Sequence, residues 1–169
     1  MVVHKKSLLF SALLMLVGCQ EVTVEPLQEQ GRALCRADYQ LCVDPILHTD
    51  INNNGLSCSA SGCHNPASGS GGGFKVFVSP AASSTQMESN FVAAQAFANL
   101  DQPVNSKLLL EPLQGISAIS GTHTGGDIFP NKNDLCYQAV LSWITTRVEQ
   151  QDSPRCGQCQ PVELSRCGF

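Results

Sequence analysis

A chain of 169 residues with 43% hydrophobic and 14% charged side chains is long enough for one compact core and has little room for a second. Its formal charge of −4 disfavours nucleic acid and anionic lipid as electrostatic partners. Nine cysteines are the largest departure from ordinary composition, and they point to an oxidising compartment or a metal.

The first eighteen residues, MVVHKKSLLFSALLMLVG, place Lys5 and Lys6 ahead of an apolar run. That run has the length of an export signal and is too short for a membrane span. Leu16-Val17-Gly18-Cys19 resembles the lipobox of bacterial lipoproteins, which implies cleavage before a lipidated Cys19 and attachment to a membrane through it. Gln20 is not the aspartate that such a resemblance links to inner-membrane retention, so the expectation is an exported, lipid-anchored protein of the outer membrane. Loss of residues 1–18 leaves eight basic against fourteen acidic residues. Residues 19–34 are polar and acidic and read as a tether; residues 35–150 form the candidate domain; residues 151–169 are a cysteine-rich tail, either stapled or disordered.

Within the domain, Asp44-Pro45-Ile46-Leu47 reads as a short helix start that ends by Asn52-Asn53-Asn54-Gly55. A short strand is expected at 74–78. Thr85-Gln86-Met87-Glu88 matches a capping box, and Phe91, Ala94 and Ala98 follow at helical spacing, predicting a helix over 85–100 closed by Pro103. Asn133 or Asp134 caps a last helix whose Cys136, Val140, Trp143, Ile144 and Val148 share a face. Long Gly/Ser-rich loops join these elements, and such an arrangement usually needs disulfides or a prosthetic group to hold it.

Cys58-Ser-Ala-Ser-Gly-Cys63-His64 carries the chemistry. In an exported protein, two cysteines with a histidine directly after the second are the pattern of covalent haem attachment: the sulfurs fix one edge of the ring and the histidine is aimed under the iron. The usual spacer is two residues; here it is four, and Ser59, Ala60, Ser61 and Gly62 are small enough to bulge outward. A zinc site is disfavoured, because adjacent Cys63 and His64 would both have to turn toward one ion. The glycines at 69, 71, 72 and 73 lack the Lys-Ser/Thr of a phosphate-binding loop.

The surroundings extend the motif. Asp44-Pro45-Ile46-Leu47 ahead of it, Ser106-Lys107-Leu108-Leu109-Leu110, the loop His123-Thr124-Gly125-Gly126-Asp127-Ile128-Phe129 and the closing Leu141-Ser142-Trp143-Ile144 resemble small bacterial cytochrome-c-like domains of the planctomycete type. The resemblance spans residues 44–148 and departs from the family in the longer spacer, the insertion before Cys58 and the missing Met-Pro. It implies a small, mainly α, cytochrome-c-like fold around one covalent haem c, with Cys58 and Cys63 as thioethers, His64 as proximal iron ligand and His123 in the sixth-ligand loop. After the leader the chain holds only His48, His64, His123 and Met87 as ordinary iron ligands. Met87 is the alternative distal ligand, although its helical position suits core packing. His48 is expected at the surface or beside a propionate. Phe91, Phe97, Phe129, Trp143 and Leu108 to Leu110 are candidate pocket walls.

An iron held on both faces passes electrons to partner proteins of the cell envelope and takes no small-molecule substrate. Two rival readings stay open: a haem enzyme or sensor with a labile sixth position, and a cofactor-free disulfide-stapled lipoprotein. Cys35, Cys42, Cys136, Cys156, Cys159 and Cys167 can pair in fifteen ways. A straight helix over 35–42 would set those two Cα atoms about 10.5 Å apart, so each would need a partner in the last helix or tail. A thioredoxin-like role for Cys156-Gly-Gln-Cys159 lacks the strand-then-helix context.

Overall fold

The computed structural model describes residues 31–116, 123 and 125–169. The signal segment 1–18, Cys19 and most of the tether therefore lie outside the described residues. Within them, 35% of residues are helical, and no helix is long and apolar enough to cross a membrane.

Seven regular elements follow in order: β1 (Ala33–Leu34), α1 (Arg36–Asp38), α2 (Asp44–His48), α3 (Thr85–Ala96), α4 (Lys107–Leu110), α5 (Leu135–Thr145) and β2 (Arg147–Val148). A π-helical turn, Tyr39–Val43, joins α1 to α2, and single 3-10 turns lie at Pro103–Asn105 and Leu164–Arg166. β1 and β2 pair antiparallel, Ala33 opposite Val148 and Leu34 opposite Arg147, and Leu34 is fully buried. The end of the expected tether thus belongs to the folded unit, because pairing with β2 satisfies its backbone while Leu34 enters the core.

α5 is the central apolar element. Asp134 caps it, accepting from the amides of Cys136 (2.9 Å) and Tyr137 (3.0 Å), and Cys136, Tyr137, Val140, Trp143 and Ile144 are all buried. Trp143 and Phe91 of α3 close around Tyr39, with ring centroids 5.4 and 5.6 Å from it, and Trp143 Nε1 donates to the Cys35 carbonyl at 2.9 Å. Phe91 and Trp143 therefore pack the core behind α5, rather than the pocket where the sequence placed them.

Local expectations needed three corrections. α3 is capped by Ser84, whose hydroxyl accepts from the Met87 amide at 3.1 Å; Glu88 pairs with Arg36 at 3.1 Å instead of closing a capping box. α3 ends at Ala96, four residues short of the expected 100. Residues 74–77 form no strand, because the backbone of Phe77 is satisfied by a side chain: its N–H donates to Asn90 Oδ1 and its carbonyl accepts from Asn90 Nδ2.

Three disulfides close the molecule: Cys35–Cys156, Cys42–Cys159 and Cys136–Cys167, with Cα separations of 5.5, 6.4 and 5.5 Å. Each joins the tail to the domain, so residues 151–169 are stapled and Cys167 enters the core. Cys58 and Cys63 are the free cysteines among the described residues.

Candidate functional site: a cavity with two thiols and two imidazoles

The site is built on α2 and the loop that follows it. Ser59 donates its amide to the Leu47 carbonyl at 3.0 Å, which pins the start of the motif to the last turn of α2. Two turns then fold the four-residue spacer: Ala60 N to Ser57 O at 3.0 Å and Cys63 N to Ala60 O at 2.9 Å. The His64 amide returns to the Cys58 carbonyl at 2.9 Å, which brings both cysteines and the histidine onto one short arc. Ser61 and Gly62 face solvent as expected, but Ser59 is 1% exposed and points inward.

His64 is held by the glycine-rich loop. Its Nδ1 lies 2.8 Å from both the Gly71 and the Phe74 carbonyl oxygens. A carbonyl can only accept, so Nδ1 carries the proton and Nε2 keeps its lone pair. Burial holds the His64 pKa below the ordinary histidine value, partly offset by these two carbonyls, so the ring is neutral at pH 7. A side chain on Gly71 would run into the His64 ring, which gives this glycine a steric reason.

His123 arrives from the other side. The base of its loop is clamped where Ile128 N and Phe129 N both reach the Pro112 carbonyl, at 2.9 and 3.0 Å. Its Nδ1 lies 2.9 Å from the Gly126 carbonyl, so it too presents Nε2 as the free acceptor. The two imidazole planes lie 12° from parallel with centroids 6.0 Å apart. Residues 117–122 and Thr124 of this loop lie outside the described residues.

Both imidazoles and both free cysteines line one cavity of about 600 Å³, within the size range of ligand and cofactor sites. Ile46, Leu47, Phe74, Phe97, Leu108 and Phe129 supply apolar wall. Of these, Phe97, Leu108 and Phe129 were legible as pocket residues; Phe74, Pro112 and Val140 were missed, because nothing local in the sequence separates a pocket wall from core. Leu56, Gly62, Gly72, Gly73 and Lys107 are exposed and form the lip. Met87 is buried in α3 and is not on this wall.

His48 differs from expectation. Its side chain is 7% exposed, with Nε2 3.0 Å from Asp44 Oδ2 and Nδ1 2.9 Å from Ser59 Oγ. It is neither at the surface nor on the cavity wall.

Burial, and next the neighbouring Cys63, push the Cys58 thiol pKa up to about 12. No family model matches the chain, and neither a curated protein nor a solved structure matches it. Among the described residues, the one set of three His, Cys or carboxylate ligand atoms within 4.8 Å of one another is Asp134, Cys136 and Cys167. Two of those sulfurs are already joined in a disulfide. The thiols and imidazoles of the cavity do not converge in this way, as a four-coordinate zinc site would require. Two near-parallel imidazoles with centroids 6.0 Å apart, and two free thiols on the same cavity wall, are the donor set that has to be accounted for.

Proposed function

We propose that the chain is a single-haem c-type cytochrome, on a small cytochrome-c-like domain, which transfers electrons at the cell envelope. Cys58 and Cys63 would hold the haem covalently, and His64 and His123 would be its two axial ligands. When bound, the group supplies a one-electron couple at its iron.

The observation that carries the proposal is the pair of near-parallel imidazoles with centroids 6.0 Å apart. If the Nε2 atoms of His64 and His123 both bonded one metal at about 2 Å, their ring centroids would lie about 6 Å apart. Each Nδ1 is tied to a backbone carbonyl, the arrangement that fixes tautomer and orientation in metal-binding histidines. The free thiols support the same reading: every other described cysteine is in a disulfide, and only the pair on this wall is not.

The chain's own groups then set the properties. Two imidazoles favour the ferric state more than an imidazole and a thioether do, so the potential lies lower than that of a His/Met centre. Phe74, Phe97, Leu108 and Phe129 give the cavity an apolar wall, while the glycine-rich lip leaves one edge near solvent for a partner protein. If His64 and His123 both held the iron, no position would be left for substrate, which favours electron transfer over catalysis. Export and the Cys19 anchor complete the proposal on the leader's sequence alone.

The test is expression of the full chain with haem-maturation machinery. The expected result is a reduced-minus-oxidised haem c spectrum, haem that survives acid-acetone extraction, and no carbon monoxide binding by the ferrous wild type. His123→Ala should retain the haem and bind carbon monoxide at once. A colourless protein with Cys58 bonded to Cys63 would overturn the proposal.

A further inference from the structure

Behind the motif lies a buried polar chain that the proposed electron transfer does not use. Asp44 is 4% exposed and its carboxylate receives three donors: Tyr39 OH at 3.0 Å, Asn90 Nδ2 at 3.2 Å and His48 Nε2 at 3.0 Å. His48 Nδ1 continues to the hydroxyl of Ser59 at 2.9 Å. Since a carboxylate only accepts, Nε2 carries a proton, and a neutral His48 has Nδ1 free to accept from Ser59. The order Asp, His, Ser is that of a nucleophile relay. Here, however, Ser59 is 1% exposed and off the cavity wall, so no substrate reaches it.

A buried carboxylate is costly unless its oxygens are satisfied and its partners positioned. These partners come from the turn after α1, from α2, from α3 and from the motif spacer. We infer that Asp44, His48 and Ser59 form a clamp that positions the Cys58 end of the haem-attachment motif.

The four-residue spacer is longer than the haem motif's usual two, and flexibility at its start would move the Cys58 sulfur relative to His64. Ser59 removes that freedom twice, through its amide on Leu47 O and its hydroxyl on His48. With Ser59 turned into the protein, its neighbour Cys58 faces the cavity. The three clamp members are positioning residues: none lies on the cavity wall.

The test has two arms, and only the second rests on the haem reading. In the first, full-length protein made without haem is followed by amide hydrogen exchange. Ser59→Ala and His48→Leu should each speed exchange at residues 58–64 about tenfold, the equivalent of one buried hydrogen bond, with all three disulfides still formed. His48→Gln can donate to Asp44 and accept from Ser59, so it should restore protection. The double variant should be no faster than His48→Leu alone.

In the second arm, the variants are exported with maturation machinery and weighed. Attachment adds each S–H across a vinyl C=C, sulfur to one carbon and hydrogen to the other, with no net oxidation. Ser59→Ala and His48→Leu should accumulate chains with a free thiol at Cys58 and one thioether at Cys63, whereas His48→Gln should match the wild type. Haem absent from the wild type would sink the haem reading and leave the first arm to judge the clamp. Unchanged exchange at 58–64 in both Ser59→Ala and His48→Leu would overturn the clamp itself.

Discussion

Gly71 serves His64 twice: its carbonyl accepts the Nδ1–H hydrogen bond, and its missing side chain leaves room for the ring. Gly71→Ala should therefore destabilise the cofactor-free protein by about 1–3 kcal/mol, the usual range for forced overpacking, and lower the haem bound per chain. Denaturant unfolding and an alkaline pyridine haem assay measure the two effects. Cys58 gives a pH test at the same scale. A thiol pKa raised to about 12 keeps the thiolate scarce until the solution approaches that pH. In the cofactor-free protein, alkylation of Cys58 by iodoacetamide at pH 8 should run about a hundredfold slower than that of an ordinary thiol of pKa near 8.5, scarcity of thiolate outweighing its greater nucleophilicity. Its rate should keep rising with pH after an ordinary thiol has levelled off. A rate that plateaus near pH 9, read by peptide mass spectrometry, would contradict the burial assigned to this sulfur.

Among the elements, the two longer helices depend on single capping side chains. Ser84 caps α3 and Thr85 does not, so Ser84→Ala should cost about 1 kcal/mol, while Thr85→Ala should leave the melting midpoint nearly unchanged. Equal losses would return the cap to Thr85. Asp134 does more: one oxygen caps α5, and the other accepts from the Gly168 amide at 2.8 Å, tying the tail to the helix start. Asp134→Ala removes both links and should cost about 2 kcal/mol or more. α5 also carries Val140 to the cavity wall and Trp143 to the core, so its register couples the site to the fold behind it.

At the scale of the whole molecule, Cys35–Cys156 and Cys42–Cys159 span 121 and 117 residues and close nearly the same loop. Once either has formed, the other closes only the few residues between them. By the chain-entropy estimate, losing one bridge should cost about 3 kcal/mol and losing the second about 5 kcal/mol more. Paired Cys→Ala variants, compared singly and together by denaturant unfolding, should therefore show a combined loss larger than the sum of the two. A strictly additive result would mean that the stapled ends do not act as one closure. The same ends pair as β1 and β2, so the chain is drawn shut beside the Tyr39–Phe91–Trp143 core.

Sequence alone determined what is chemically local. The Cys-x4-Cys-His unit and the α5 face from Cys136 to Ile144 follow from residue type and spacing, and a helical run over 35–42 would by itself send Cys35 and Cys42 to distant partners. Tertiary structure decided whatever depends on two segments meeting. His48 sits in a helix of five residues, where nothing in the sequence announces that Asp44 and Ser59 will enclose it. Ser59, small and polar in a loop, looked like an outward bulge until His48 gave its hydroxyl a buried partner. The extended backbone at 74–77 lost its strand because Asn90, thirteen residues beyond Phe77, satisfied it from a side chain. The cavity itself is a shape made between α2, α4, α5 and two loops. Hydrophobic residues have the same pattern whether they face one another or a void, so only the packed chain separates wall from core.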